Sequence, residues 1–447
     1  MTTNTPMASA QLSDEAVLPL RTLDPAEPLD DLEWLDRAIG DARVVAIGES
    51  AHYNREFFQL RHRLLRYLVE RHGFSAYAME SGFVEGTLVD NWVRGEGDAG
   101  AERLGHVMAN GMTSLMGAWA PMRAHLEWMR RHNRSAAHPV GFYGIDMPGS
   151  MVSLLPGLDA VIAYLALADP EFPVDPALRE TAAAFSVPSA FAAPAAIAAY
   201  GDLAPERRNA LTAGLADLMA HLTSRRLAYV GRTSADAFAR ARHALRVTVT
   251  LDAMLREIAR GNRDAMSLIR DATLADTVEW VLEREDRIVL AAHNGHVQRA
   301  PHTMPGMPVM PMAGAHLADR LGSDYLVIGT TTGTGQTLNT APDFYTGTLF
   351  ADLEEAPRPG SLDALMNAAH RGPFAVDLRR LSAADTAAVR SASQQRYGTY
   401  YADQSPPASF DIVVHLPHVT AADPEPAALA EAPQDVREPF ACWMSMA

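Results

Sequence analysis

The stretch Val44-Val45-Ala46-Ile47-Gly48-Glu49-Ser50-Ala51-His52 decides the fold class. Four apolar residues, three of them β-branched, read as a buried strand, and the glycine and polar residues after them as a turn into a helix. A second stretch of this kind lies far downstream: Ile288-Val289-Leu290-Ala291-Ala292, followed by His293-Asn294-Gly295-His296. Polar clusters just past the carboxyl ends of buried parallel strands occupy the place where open α/β sheets bind ligands. Outward from these anchors, strands are predicted at residues 76–79, 140–145, 325–328, 374–378 and 410–414, and helices at 55–71, 84–93 and 119–132. The alternation predicts an α/β fold with a mostly parallel sheet flanked by helices.

Residues 151–285 break the pattern, with long helical periods at 207–229, 235–260 and 263–285 and no strand signal. The predicted organisation is a flexible tail (1–25), a first α/β half (26–150), a large helical insertion (151–285), a second α/β half (286–420) and an irregular tail (421–447). The run Gly329-Thr330-Thr331-Thr332-Gly333-Thr334-Gly335 reads as a flexible loop, and the alternating Met and Pro of residues 304–312 as an apolar one.

The 447 residues are 48% hydrophobic and 21% charged, as in ordinary globular proteins. A net charge of −16 argues against nucleic acid as a partner and against docking on anionic lipid. Cys442 is the only cysteine, so an intramolecular disulfide and a thiolate zinc site are both excluded. The N-terminal residues lack the basic start and apolar core of a signal peptide, and no apolar run is long enough to span a bilayer. A cytoplasmic protein acting on a small molecule is the expectation; nothing in the sequence sets its oligomeric state.

The candidate chemistry gathers at the strand ends. A carboxylate beside an imidazole fixes its tautomer and raises its basicity, so Glu49 and His52 suit a general base; the plainer reading has Glu49 and Ser50 capping the next helix. On that helix Arg61 shares a stripe with Phe57, Leu64 and Leu68. A guanidinium facing the core requires a carboxylate, and Glu80, ending the 76–79 strand, is the candidate partner. His293 and His296 suit oxyanion stabilisation, proton donation or metal binding. Asp146 and Asn294 are further candidates for substrate binding, although Asp146 equally suits a helix cap. A Gly-x-Ser-x-Gly elbow, a His-Glu-x-x-His zinc motif and a phosphate loop are all missing.

Together these residues resemble the erythromycin esterase family. The resemblance rests on Gly48-Glu49-Ser50-Ala51-His52, Glu56-Phe57-Phe58-Gln59-Leu60-Arg61, Met79-Glu80-Ser81-Gly82, Phe142-Tyr143-Gly144-Ile145-Asp146 and Ala292-His293-Asn294-Gly295-His296-Val297, in that order. It implies ester or lactone hydrolysis of a bulky natural product without a covalent serine intermediate, in a deep cleft between an α/β fold and a helical lobe. His52 would be the general base, Glu49 and Glu80 would shape the base and the water site, Arg61 would hold the carboxylates or stabilise negative charge, and His293 would polarise the carbonyl or assist the leaving alkoxide. No cofactor is implied. Three rival readings use the same residues: a biosynthetic cyclisation, acyl transfer or elimination; a divalent-metal hydrolase with Glu49, His52, Glu80 and His293 as zinc or manganese ligands; and a catalytically silent binding protein.

Overall fold

The computed structural model describes residues 11–262, 264–303 and 308–446. Its strands are β1 (Leu18–Pro19), β2 (Val44–Glu49), β3 (Ala76–Gly82), β4 (Gly141–Asp146), β5 (Ile288–His293), β6 (Tyr325–Leu338), β7 (Phe350–Asp352), β8 (Phe374–Asp377), β9 (Gln394–Tyr397), β10 (Tyr400–Asp403) and β11 (Ile412–Val419). The chain divides into two compact units. One takes its described residues from Met1–Gly73, Val289–Phe344 and Phe350–Ala422, the other from Phe74–Ile288, Tyr345–Leu349 and Asp423–Ala447.

In the first unit the strands run in the order β1-β8-β11-β6-β2-β5. The centre is parallel, with β6 between β2 and β11; β8 pairs antiparallel with β11 and with β1, and β7 with β6. Every residue of β2 is buried, which explains its unbroken apolar run: a parallel strand has no solvent face to alternate toward. After β2 comes the helix Arg55–His72. It buries Phe57, Arg61, Leu64 and Leu68 and ends at Gly73, whose left-handed φ of 69° lets its N–H cap the Leu68 carbonyl.

Two expectations for this unit are corrected. The Gly329–Gly335 run is the middle of the long strand β6, not a flexible loop. Its threonines suit a pleated strand, and Gly333 is needed because a Cβ there would lie 2.2 Å from the Pro417 carbonyl of β11. The segment 11–25 is not a loose tail either. Leu12 and Leu20 are buried, β1 pairs with β8, and Ser13 donates both N–H and hydroxyl to Asp385. Residues 1–10 and 304–307, which hold the rest of the tail and part of the Met–Pro stretch, lie outside the described residues.

In the second unit β3 and β4 pair in parallel, with an irregularity between Met79 and Gly82. Residues 151–285 contain helices and no strand among those described, as expected; the long members are Leu155–Ala168, Pro205–Ser224, Ala235–Ala259 and Ala265–Leu282. The helix predicted over 207–229 breaks at Arg225 and restarts as Arg226–Arg232, and position 263 is outside the described residues. The C-terminal segment is helical rather than irregular. Pro426 opens Pro426–Glu431, where the missing N–H costs nothing, and the Glu425 carboxylate caps that helix. Gln434–Met446 follows, with Phe440 fully buried 5.1 Å from the Trp119 ring. Among the described residues no helix is long and apolar enough to cross a membrane.

Candidate active site

The turn after β2 is built by close approach and strain. A Cβ on Gly48 would lie 2.1 Å from Asn294 Oδ1, so only glycine lets β2 pass the end of β5. Asn294 is fully buried; its Nδ2 donates to the Thr330 carbonyl at 2.7 Å and its Oδ1 accepts from the Thr330 N–H at 3.1 Å. It braces β6 and has no surface to offer a substrate, which corrects its expected role. Directly after His52, Tyr53 adopts a left-handed φ of 66°, a conformation costing about 1–3 kcal/mol in a non-glycine residue. Bonds from Ala422 N to the Tyr53 carbonyl (2.9 Å) and from Arg55 N to the Thr420 carbonyl (3.0 Å) hold it there.

Glu49 is the centre of this turn. Its Oε1 lies 2.6 Å from His52 Nδ1 and its Oε2 2.9 Å from Arg61 Nη1. The carboxylate can only accept, so Nδ1 carries the proton and Nε2 is the basic nitrogen of His52. The side chains of Glu49 and Arg61 are 1% and 2% exposed while that of His52 is 22% exposed: the charged pair lies beneath and the base reaches outward. The capping alternative does not hold, since the helix begins after Asn54 with no side-chain cap. Arg61 faces the core as expected, but its carboxylate is Glu49, not Glu80; its second nitrogen donates to the Ala292 carbonyl at 2.7 Å. Helix and turn are contiguous in sequence, so the nearest carboxylate is the one that ends β2.

His293 belongs to the same unit. Its Nδ1 accepts from the Gly295 N–H at 3.1 Å, so the neutral ring carries its proton on Nε2, which is 3.3 Å from the Ser50 carbonyl. The His52 and His293 rings are 5.4 Å apart, and His296 lies 6.4 Å beyond His293. On these assignments Nε2 is the basic nitrogen of His52 and the protonated nitrogen of His293.

The second unit holds another charged centre, at the ends of β3 and β4. Arg270 Nη2 lies 2.7 Å from Glu80 Oε1 and 2.6 Å from Asp146 Oδ2. Glu80 sits in the irregularity of β3, a feature that re-aims side chains. Asp146 also accepts from the Met147 N–H; it caps no helix. Burial disfavours the Arg270 charge, but Asp146 and then Glu80 more than offset this and hold the guanidinium firmly protonated. Sequence reasoning missed Arg270, although the signal used for Arg61 was present: it precedes Leu274 by one turn on an otherwise apolar stripe with Val278 and Val281.

The second unit also holds a half-open cavity of about 370 Å³, lined by Glu85, Met112, Ser114, Ser150 and Pro156 among others. Glu85 accepts from the Gly149 N–H at 2.7 Å, yet burial pushes its carboxyl up to about 7. Among the described residues, four of the five non-glycine positions with positive φ (Ser114, Leu115, Ser150 and Met151) belong to the two loops at this cavity, joined by a Ser114 N–H to Ser150 hydroxyl bond of 3.1 Å.

Glu49 and Glu80, the carboxylates of the metal reading, are each engaged by a guanidinium. Among the described residues no three His, Cys, Asp or Glu side chains converge so as to hold a metal ion.

The sequence matches the erythromycin esterase family over residues 69–419. The chain belongs to the erythromycin esterase family. The match begins after the Gly48–His52 turn and Arg61 and includes Glu80, Asp146, Arg270 and His293. Two Escherichia coli relatives, erythromycin esterase type II and type I, are 30% and 29% identical over 339 and 317 residues. The alignments cover 73% and 67% of this chain, and 77% and 73% of the relatives. A Bacillus cereus protein of solved structure shares the fold at a TM-score of 0.74 and 22% identity, over 91% of this chain and 96% of that one. A histidine-to-asparagine mutant of the erythromycin esterase EreC, in its open conformation, matches at 0.72 and 21%, over 90% and 97%. This family member thus has the α/β fold predicted for it.

Proposed function

We propose that this member of the erythromycin esterase family hydrolyses a carboxylic ester or lactone of a bulky natural product, a macrolide ester being the leading candidate. The observation that carries the proposal is the Glu49 carboxylate held between Arg61 and His52. With Nδ1–H bound to Glu49, His52 Nε2 takes a proton from water as that water attacks the acyl carbon. Glu49 stabilises the imidazolium, a general-base contribution on the order of 10²–10⁴-fold. His293 keeps its ring orientation and shares its Nε2–H between the Ser50 carbonyl and the developing oxyanion or leaving alkoxide, because fixed donors gain most where charge develops. Glu80 takes the water-shaping role that the family resemblance gives it, and Asp146 and His296 remain candidates for contacting the substrate. Water is the nucleophile throughout, so no acyl-enzyme forms.

The reaction needs no divalent metal in this proposal, since a guanidinium already engages each of Glu49 and Glu80. The protein acts on a small molecule in the cytoplasm, without nucleic acid or membrane as a partner. The test is mass spectrometry of a macrolide and simple-lactone panel incubated with the enzyme and with His52→Ala, with and without chelator. Gain of one water that depends on His52 and ignores chelator is the expected result. Turnover abolished by chelator and restored by zinc or manganese would refute the metal-free mechanism, and an acyl adduct on the protein would refute direct attack by water.

A further inference from the structure

The first unit carries a small second sheet, the hairpin β9–β10, with Tyr397 paired to Tyr400 across its tip. Its base is fastened to β6: Gln395 donates to the Thr330 carbonyl at 2.9 Å and Arg396 to the Thr332 carbonyl at 2.8 Å. The tip reaches the turn after β2. Gly398, at a left-handed φ of 59°, donates its N–H to the Ser50 carbonyl at 2.7 Å. This is the carbonyl that His293 Nε2 faces at 3.3 Å, so the hairpin and the imidazole share one acceptor.

Beside this latch Tyr397 is 1% exposed, and its ring meets His293 at 5.3 Å and 65°, edge to face. On its other side lies His302, at 5.1 Å. The hydroxyl is fully engaged: it donates to Gln298 Oε1 at 2.6 Å and accepts from Gln404 Nε2 at 2.8 Å. Burial raises its pKa well above the ordinary phenol value, so the hydroxyl stays protonated. An edge-to-face contact fixes ring orientation as well as distance, and it adds to the bonds made by the two His293 nitrogens.

We infer that Tyr397 is a positioning residue, which with the Gly398 latch sets the orientation of the His293 imidazole and hence the direction of its Nε2–H. The inference rests on the proposed role of His293 as the donor to the reacting carbonyl or alkoxide. The ring does the positioning; the hydroxyl anchors the hairpin. A misplacement on the order of 1 Å in a catalytic group can cost about 100-fold.

The test compares the full-length enzyme with Tyr397→Phe and Tyr397→Met, with Tyr397→Leu as a second ring-free variant if methionine does not fold. Each is read by kinetics on an ester the panel identifies, and by ¹⁵N NMR of labelled histidine. The ring-free variant should lose about 10- to 100-fold in kcat with KM nearly unchanged, and its His293 nitrogens should lose the Nε2–H tautomer pattern. Tyr397→Phe should keep kcat within about threefold and keep the tautomer pattern, while unfolding at lower temperature because buried partners lose their bonds. Unchanged kcat and nitrogen shifts in the ring-free variant would overturn the inference, as would equal loss of kcat in both variants. His293→Ala separates this from the parent reading: full activity there refutes the role of His293, while the NMR comparison still decides whether Tyr397 orients it.

Discussion

The two arginine–carboxylate centres are built inversely. In the first unit one carboxylate, Glu49, lies between a guanidinium and an imidazole; in the second one guanidinium, Arg270, lies between two carboxylates. The first arrangement sums to zero charge with a neutral imidazole. It leaves the His52 side chain 22% exposed above the buried Glu49–Arg61 pair. The second carries a net negative charge, and its three members hold one another. In the proposed mechanism the first centre cycles a proton and the second stays put. Buried pairs of this kind do not of themselves stabilise a fold, yet removing one partner is costly.

That contrast can be broken by mutation. The largest effect is expected from His52→Ala, a fall in kcat of about 10²–10⁴-fold with the melting temperature nearly unchanged, checked by steady-state kinetics and calorimetry. Arg61→Met should destabilise by about 3–5 kcal/mol in denaturant melts, because Glu49 stays buried without its guanidinium. Arg270→Met should cost a similar amount, about 3–5 kcal/mol, because two buried carboxylates lose their guanidinium. Its signature is proton uptake: Glu80 and Asp146, no longer separated by a cation, would share a proton, visible as a raised carboxyl titration by NMR. If Arg61→Met took up a proton and Arg270→Met did not, the contrast between the centres would be reversed.

The smallest effect concerns Glu85, whose folded carboxyl titrates near 7 instead of 4.5. The folded state binds this proton more tightly than the unfolded one. Its contribution is therefore full below about pH 4.5, declines as pH rises to about 7 and is lost above. Glu85→Gln, which keeps an acceptor for the Gly149 N–H, should flatten that slope. It should gain on the order of 1–2 kcal/mol relative to wild type between pH 5 and pH 8 in denaturant melts, a figure discounted for partial exposure. An unchanged slope would show that burial does not hold Glu85 protonated.

Much of this was legible in the sequence because it is local. The strand and helix periods placed β2, the Arg55–His72 helix and the inward face of Arg61, and three-residue spacing placed Glu49 beside His52. Partners set by the tertiary fold were not legible. The choice of Glu49 over Glu80 for Arg61 depends on which strand end the helix crosses. Arg270 reaches Glu80 and Asp146 across 190 and 124 residues of sequence. Asn294 looks like a ligand group until β6 is seen to satisfy both ends of its amide. The threonine–glycine run was misread because Gly333 and Gly335 mark close approach to β11 rather than freedom. The C-terminal helices were hidden by prolines that in the fold stand at helix starts, though Pro439 lies inside one.

The central claim is that Glu49 and His52 act as one base. A double-mutant cycle on kcat tests it most directly, using Glu49→Gln, His52→Ala and the pair together on an ester the enzyme turns over. The account predicts that each single change costs a large factor and that the double variant is no slower than His52→Ala alone, since the carboxylate works only through the imidazole. Losses that multiply in the double variant would mean that Glu49 and His52 contribute independently, and would contradict it.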